Sequence, residues 1–342
     1  MIPLLATIEA LPLWAWGALF FFITAMRAAA AQPSPRVPGL SVLLCLASLL
    51  ANPVRIAAAD IPSAGTMTAS TFQSAALGEA LSYWIYLPAV YATSPAARFP
   101  VLYLLHGRGD SMEAWRTIQP DLDRLIAAHE IPPVIAVLPD APSNHRAGYY
   151  VDSSFSGGRR VETAFTTDLV RHVDTTYRTQ PDRAGRIVAG YSMGGYGALR
   201  FSLAHPELFH AAIVLSPAVY FPLPPRDSST REFGAFGRGN LGFDDDIYRE
   251  KNYPALLPSF VATRLPLVMF IAVGDDEHAL ADPAEAVHDL DYEAHTLYNK
   301  VRRAPGITAQ LRVVDGGHNW ATWRPTFLEG VRYVFQQVKP HD

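Results

Sequence analysis

The sequence predicts an α/β fold built on a mostly parallel central sheet with helices on both faces. Three observations carry that reading. From residue 60 onward, short uninterrupted apolar runs alternate with longer amphipathic ones, as expected for strands buried on both faces and joined by crossover helices. Several apolar runs lead directly into Gly, Pro or Asp, where a chain leaves the edge of a sheet. The chain has 342 residues, 49% hydrophobic and 18% charged, which suits one large core and excludes a disordered or low-complexity chain.

The elements follow in order. Residues 67–78 (MTASTFQSAALG) and 80–88 (ALSYWIYLP) form an opening β-hairpin about a Gly turn. Residues 100–107 (PVLYLLHG) are a continuous apolar run ending in Gly, a buried strand. Residues 121–129 (DLDRLIAAH) have helical spacing, and 134–140 (VIAVLPD) return a buried strand. Residues 161–177 (VETAFTTDLVRHVDTTY) predict one long helix. The strand 186–192 (RIVAGYS) runs into the helix 194–205 (GGYGALRFSLAH), and 211–217 (AAIVLSP) is the next strand. Residues 265–275 (LPLVMFIAVGD) and 310–317 (QLRVVDGG) are the last two strands, separated by a polar helix over 284–303. The closing helix falls over 326–338 (TFLEGVRYVFQQV). The stretch 221–257 breaks the rhythm: it is rich in Pro, Gly, Asp and Arg and too long for a simple connection. It reads as a lid excursion over the sheet. No internal repeat and no second domain of this kind is evident.

The N-terminal segment, residues 1–59, has a different character. Residues 1–26 carry Glu9 as their one charge, residues 37–54 carry none, and Arg27 and Arg36 lie between. The second run fits the h-region of a signal peptide, with Ala57, Ala58 and Ala59 before Asp60 as a small-residue cleavage site and Met26 as an alternative start. The rival is two membrane spans held by the arginines on the cytoplasmic side. Both place residues 60–342 outside the cytoplasm, secreted or periplasmic, with membrane association confined to residues 1–59. The single cysteine, Cys45, lies in that leader, so a disulfide scaffold and a cysteine zinc site are excluded. A formal charge of −4 offers no basic footprint for nucleic acid.

The chemistry begins at Gly190-Tyr191-Ser192-Met193-Gly194, a G-x-S-x-G motif between a strand and a helix. A nucleophile at such a sharp turn needs tiny residues two before and two after it, because strand and helix pass close together. The helix N-terminus behind Ser192 offers backbone N–H groups to an oxyanion, beginning with that of Met193. Among eleven histidines, His318 follows the last strand directly and precedes a helix, so it can fold back toward Ser192 as general base. Trp320, two residues on, is a candidate shield for its ring. An acid to orient His318 belongs after the strand ending at Gly274, where Asp275, Asp276 and Glu277 stand in a row. The second oxyanion donor is expected in His106-Gly107-Arg108-Gly109, as the amide of Arg108.

Other signals are weaker. Tyr149 and Tyr150 either line an acyl or alcohol pocket or belong to the core. His288 and His295 lie near Glu277 and His278, but six intervening residues are not one helical turn and a third ligand is lacking, so no metal is expected. Asp244, Asp245 and Asp246 lack the spacing of a calcium loop and read as a solvated turn.

The segments VLYLLHGRGD, AVLPDAPSNHRAGYYVD, RIVAGYSMGGYGALRFSLAHPELFHAAIVLSPA, FIAVGDDEH and VVDGGHNWATW together resemble the putative-esterase family of α/β-hydrolases. That group includes tributyrin esterases, feruloyl esterases, S-formylglutathione hydrolases and mycolyltransferases. The resemblance spans about residues 65–338 and implies the α/β-hydrolase fold, no cofactor, and a serine esterase working through an acyl-enzyme on a small-molecule, polysaccharide or lipid ester. It matches the nucleophile to Ser192, the base to His318 and the oxyanion amides to Arg108 and Met193. The family's acid, commonly Asp three residues after the strand glycine, falls on Glu277, with Asp276 the alternative. An acyltransferase using the same residues is the nearest other activity, and a non-catalytic binding module is a remote one.

Overall fold

The computed structural model describes residues 64–142, 147–278 and 283–337. The expected export or anchoring segment therefore lies outside the described residues. Eight strands form one sheet: β1 (Thr66–Ser74), β2 (Glu79–Leu87), β3 (Val101–Leu105), β4 (Ile135–Pro139), β5 (Arg186–Tyr191), β6 (Ala211–Leu215), β7 (Leu267–Gly274) and β8 (Ile307–Val314). Their order across the sheet is β1-β2-β4-β3-β5-β6-β7-β8. The β1–β2 hairpin is antiparallel and β2 meets β4 antiparallel, whereas every other pairing is parallel. The parallel portion explains the runs without alternation, since every residue of β3, β4, β5 and β6 is buried. Along β3 the side chains still divide by face: Val101, Tyr103 and Leu105 join one core, Leu102 and Leu104 the other.

The main helices are α1 (Gln119–Ala127), α2 (Val170–Thr176), α3 (Met193–Ala204), α4 (Asp245–Lys251), α5 (Tyr253–Thr263), α6 (Leu290–Val301) and α7 (Trp320–Gln337). Three expectations need correction. The long helix over 161–177 is interrupted, because Ala164–Leu169 is a π-helical segment between Val161–Thr163 and α2. There the Thr166 hydroxyl donates to the Glu162 carbonyl at 2.7 Å, a side-chain bond that competes with the regular backbone ladder. The stretch 221–257 is not wholly irregular, since it holds α4 and the start of α5. Pro254 and Pro258 obscure α5 in the sequence, yet a proline in the first turn costs no backbone bond. The closing helix begins at Trp320, earlier than the apolar spacing suggests, and contains Pro325.

The excursion is packed down. Phe236, Tyr248 and Tyr253 are buried in it, as are Tyr220 just before it and Phe260 just after it. Tyr248 Oη accepts from the Tyr220 amide at 2.9 Å and donates to the Tyr220 carbonyl at 3.1 Å. Asp244 caps α4 by accepting from the amides of Asp246 and Ile247, so this acidic turn has a structural role. Among the described residues, no helix is long and apolar enough to cross a membrane.

Candidate active site

The parallel strands bring their C-terminal ends to one edge, and the residues singled out in the sequence meet there. Ser192 sits between β5 and α3 with φ 55° and ψ −121°, a strained conformation for a residue with a side chain. The neighbouring glycines are required by contact. A Cβ on Gly190 would stand 2.3 Å from the Gly194 carbonyl oxygen, and one on Gly194 would stand 2.2 Å from that of Leu105. The Ser192 amide donates to the Leu215 carbonyl at 2.9 Å, and its own carbonyl accepts from the amides of Tyr196 and Ala218 at 3.0 Å each. The strained turn is thus fixed from β6, α3 and the segment after β6.

Ser192 Oγ is 2.9 Å from His318 Nε2, and His318 Nδ1 is 2.7 Å from Glu277 Oε2. The second Glu277 oxygen accepts from Ser216 Oγ at 2.6 Å and from the Gly274 amide at 2.7 Å. Three donors therefore satisfy a carboxylate with no solvent exposure. With Nδ1–H committed to Glu277, the lone pair of Nε2 faces the serine hydroxyl.

The three successive carboxylates separate by direction. Asp275 and Asp276 are exposed, while Glu277 turns inward. Asp275 accepts from the Gly316 amide at 3.0 Å, and the Asp276 amide donates to the Gly316 carbonyl at 3.0 Å. Both aspartates tie the loop after β7 to the loop carrying His318.

Two features here were not foreseen. Ser216, directly after β6, donates to Glu277 and accepts from Trp323 Nε1 at 2.9 Å. The ring against His318 belongs to Trp323, edge-on at 4.9 Å, rather than to Trp320, which packs on Trp115 and Tyr191. A small polar residue at the C-terminal end of the strand beside the acid's strand is the signal that points to Ser216.

The two expected oxyanion donors both flank Ser192. Met193 opens α3, where helical N–H groups have no partner within the helix. Gly107 packs beside the serine: a Cβ on it would lie 3.5 Å from Ser192 Cβ, and Arg108 follows it. The Arg108 side chain is exposed. Beneath this loop the His106 ring is fully buried, with Nδ1 2.7 Å from the Gly107 carbonyl and Nε2 accepting from the Ala141 amide at 2.9 Å.

Tyr149 and Tyr150 have positive φ values of 48° and 54° and are buried. Tyr150 donates to the His106 carbonyl at 2.9 Å, and Tyr149 bonds Thr230 of the excursion at 2.8 Å. Both belong to the hydrophobic core, the second of the two readings. Burial pushes both hydroxyls above the usual tyrosine range. The histidines weighed as metal ligands point elsewhere: His278 to Asp289, His288 to Glu293, and His295 to the Asp291 carbonyl.

Comparison with known proteins agrees with this architecture. The chain matches the family described as "Putative esterase" over residues 74–334. Over 143 residues it is 37% identical to an esterase of Mycobacterium tuberculosis (strain ATCC 25618 / H37Rv), covering 41% of this chain and 30% of that protein. It is 29% identical over 187 residues to an endo-1,4-beta-xylanase/feruloyl esterase of Xylanibacter ruminicola, covering 52% of this chain and 25% of that one. The chain thus spans less than a third of the length of these two relatives. A solved ferulic acid esterase has the same fold, with a TM-score of 0.64 at 24% identity over 80% of this chain and 98% of that one. The strand order, the turn at Ser192 and the family match lead to one conclusion: this chain carries the α/β-hydrolase fold and belongs to the putative-esterase family.

Proposed function

We propose that the chain is a serine esterase that hydrolyses small-to-medium acyl or aryl esters through an acyl-enzyme on Ser192. One observation carries the proposal: the hydrogen-bonded series Ser192–His318–Glu277, at 2.9 and 2.7 Å, beginning on a strained turn at the head of a helix. In the first step His318 Nε2 takes the hydroxyl proton as Ser192 Oγ attacks the ester carbonyl carbon. Charge develops on the carbonyl oxygen, and the amides of Met193 and Arg108 receive it. Collapse of the intermediate expels the alcohol, which takes its proton from His318, leaving the acyl group on Ser192. Water then repeats the sequence and releases the acid. Glu277 stabilises the imidazolium that forms twice per cycle.

Two supports bear on the substrate. One curated relative is named for feruloyl esters and one structural neighbour for ferulic acid esters, which favours an aromatic acyl group. Export of residues 60–342, with 1–59 as leader or anchor, completes the proposal and rests on the uncharged run before Ala57-Ala58-Ala59.

The test is a panel of p-nitrophenyl esters of rising acyl length together with methyl ferulate, run on the wild type and on Ser192→Ala. The variant is expected to lose roughly 10⁴-fold or more in kcat, because binding and the oxyanion donors alone remain. Retention of kcat within tenfold would remove Ser192 as nucleophile. An acceptor alcohol added to the same assay reads out acyl transfer as an ester product.

A further inference from the structure

We infer that His106 is a positioning residue that aims the Arg108 amide at the developing oxyanion. This rests on the reading of Ser192 as the nucleophile of an esterase. The His106 ring is fully buried and hydrogen-bonds to Gly107 and Ala141 rather than to Ser192 or His318, so it lies outside the series that moves protons. Its protonation is set by its neighbours. Nε2 accepts from the Ala141 amide at 2.9 Å, and a ring nitrogen that accepts carries no proton. In the neutral ring the proton therefore sits on Nδ1, which donates to the Gly107 carbonyl at 2.7 Å. The Asp140 carboxylate stands 3.6 Å from Nε2, too far for a hydrogen bond.

The carbonyl of Gly107 and the N–H of Arg108 belong to one planar trans peptide and point in opposite directions. Gripping the carbonyl from below consequently fixes where the amide points. A second and longer grip comes from the Asp110 amide, 3.3 Å from the same oxygen. The preceding peptide is held too, because Tyr150 donates to the His106 carbonyl at 2.9 Å. Glycine is needed for the approach: a Cβ at Gly107 would meet the Tyr191 ring at 2.6 Å. The Arg108 amide itself has no protein acceptor among the described residues, which leaves it available to a substrate oxygen. His106 thus acts through a peptide it orients, from the side opposite the reaction.

Two substitutions separate the bonds to Gly107 and to Ala141. His106→Gln places an acceptor where Nε2 was and removes the donor to Gly107. His106→Asn places a donor where Nδ1 was and removes the acceptor for Ala141. The Gln variant is expected to lose roughly 10–100-fold in kcat, below the ~10²–10³ of deleting an oxyanion donor outright. Its KM should stay within about threefold, and its affinity for a phenylboronic acid, a mimic of the tetrahedral intermediate, should fall in parallel with kcat. The Asn variant should stay within about tenfold of wild type on both measures. Equal losses in the two variants, a greater loss in Asn, or a change confined to KM would overturn the inference. Where Gln does not fold, as judged by circular dichroism, Asn decides alone by the same tenfold limit. In the wild-type protein, ¹⁵N NMR of the ring should report a proton on Nδ1, and a proton on Nε2 would overturn the inference independently. An esterase activity that survives Ser192→Ala would instead sink the underlying reading, whatever His106 does.

Discussion

At the scale of single residues, the choice among three adjacent carboxylates is the sharpest question the site poses. Glu277 is the one that is buried, and it holds donors on both oxygens. Glu277→Gln replaces an acceptor facing Nδ1–H with an amide that cannot stabilise an imidazolium and that favours the wrong tautomer. The expected loss in kcat reaches about 10⁴-fold, the scale seen when a triad acid becomes an amide. Asp276→Asn should remain within about tenfold, because its side chain is exposed and its backbone makes the contact to Gly316. Steady-state kinetics on one ester suffices, and a crippled Asp276→Asn beside a near-normal Glu277→Gln would reverse the assignment. Ser192 and His318 could be located in the sequence because each sits at a strand end marked by its own short pattern. The support behind Glu277 was harder to locate. Ser216 lies 61 residues from it and Trp323 lies 107 residues from Ser216, and the one local sign of these bonds is a small polar residue where β6 ends. The swap of Trp320 for Trp323 has the same origin: helical phase decides which indole meets the imidazole, and that phase is set by where α7 begins.

At the scale of elements, α6 holds the excursion by a buried acid. Glu293 is 2% exposed and accepts from the Phe221 amide at 2.9 Å. Burial raises its carboxyl to about 8, against the opposing pull of that amide. His288 Nδ1 lies 3.4 Å away, and the titratable hydroxyls of Tyr220, Tyr248 and Tyr253 are close enough to feel its charge. Because the folded protein keeps this proton to higher pH than the unfolded chain, stability is fully present below the ordinary Glu range. It falls as pH rises from about 4.5 to about 8 and levels off beyond. Glu293→Gln, neutral at every pH, removes that dependence. Its thermal midpoint should exceed that of the wild type at pH 8.5 and should lose this advantage near pH 4.5. Parallel midpoints at the two pH values would show that Glu293 ionises alike in both states. Strands were easier to read than helices at this scale. A buried parallel strand is apolar throughout, whereas α5 carries Pro254 and Pro258 and the segment 161–177 hides a π turn behind paired threonines.

At the scale of the whole molecule, the sheet edge gathers groups from distant parts of the chain. Residues 60–342 form one compact unit by their own contacts, and the first strand of the sheet begins at Thr66. Expressed alone, they should yield soluble protein with the kcat and thermal midpoint of the full chain. An insoluble product, rescued when residues 1–59 are restored, would assign that segment a place in the fold. The arrangement around Glu277 also bears on when the proposed chemistry can start. Its donors come from the end of β6, from β7 and from the loop after β8, while α7 supports them through Trp323. A chain in which β8 and α7 have not yet docked holds a nucleophile and an acid without a base between them. On the proposed mechanism such an incompletely docked chain is chemically silent, so the onset of hydrolysis would report the docking of β8 and α7.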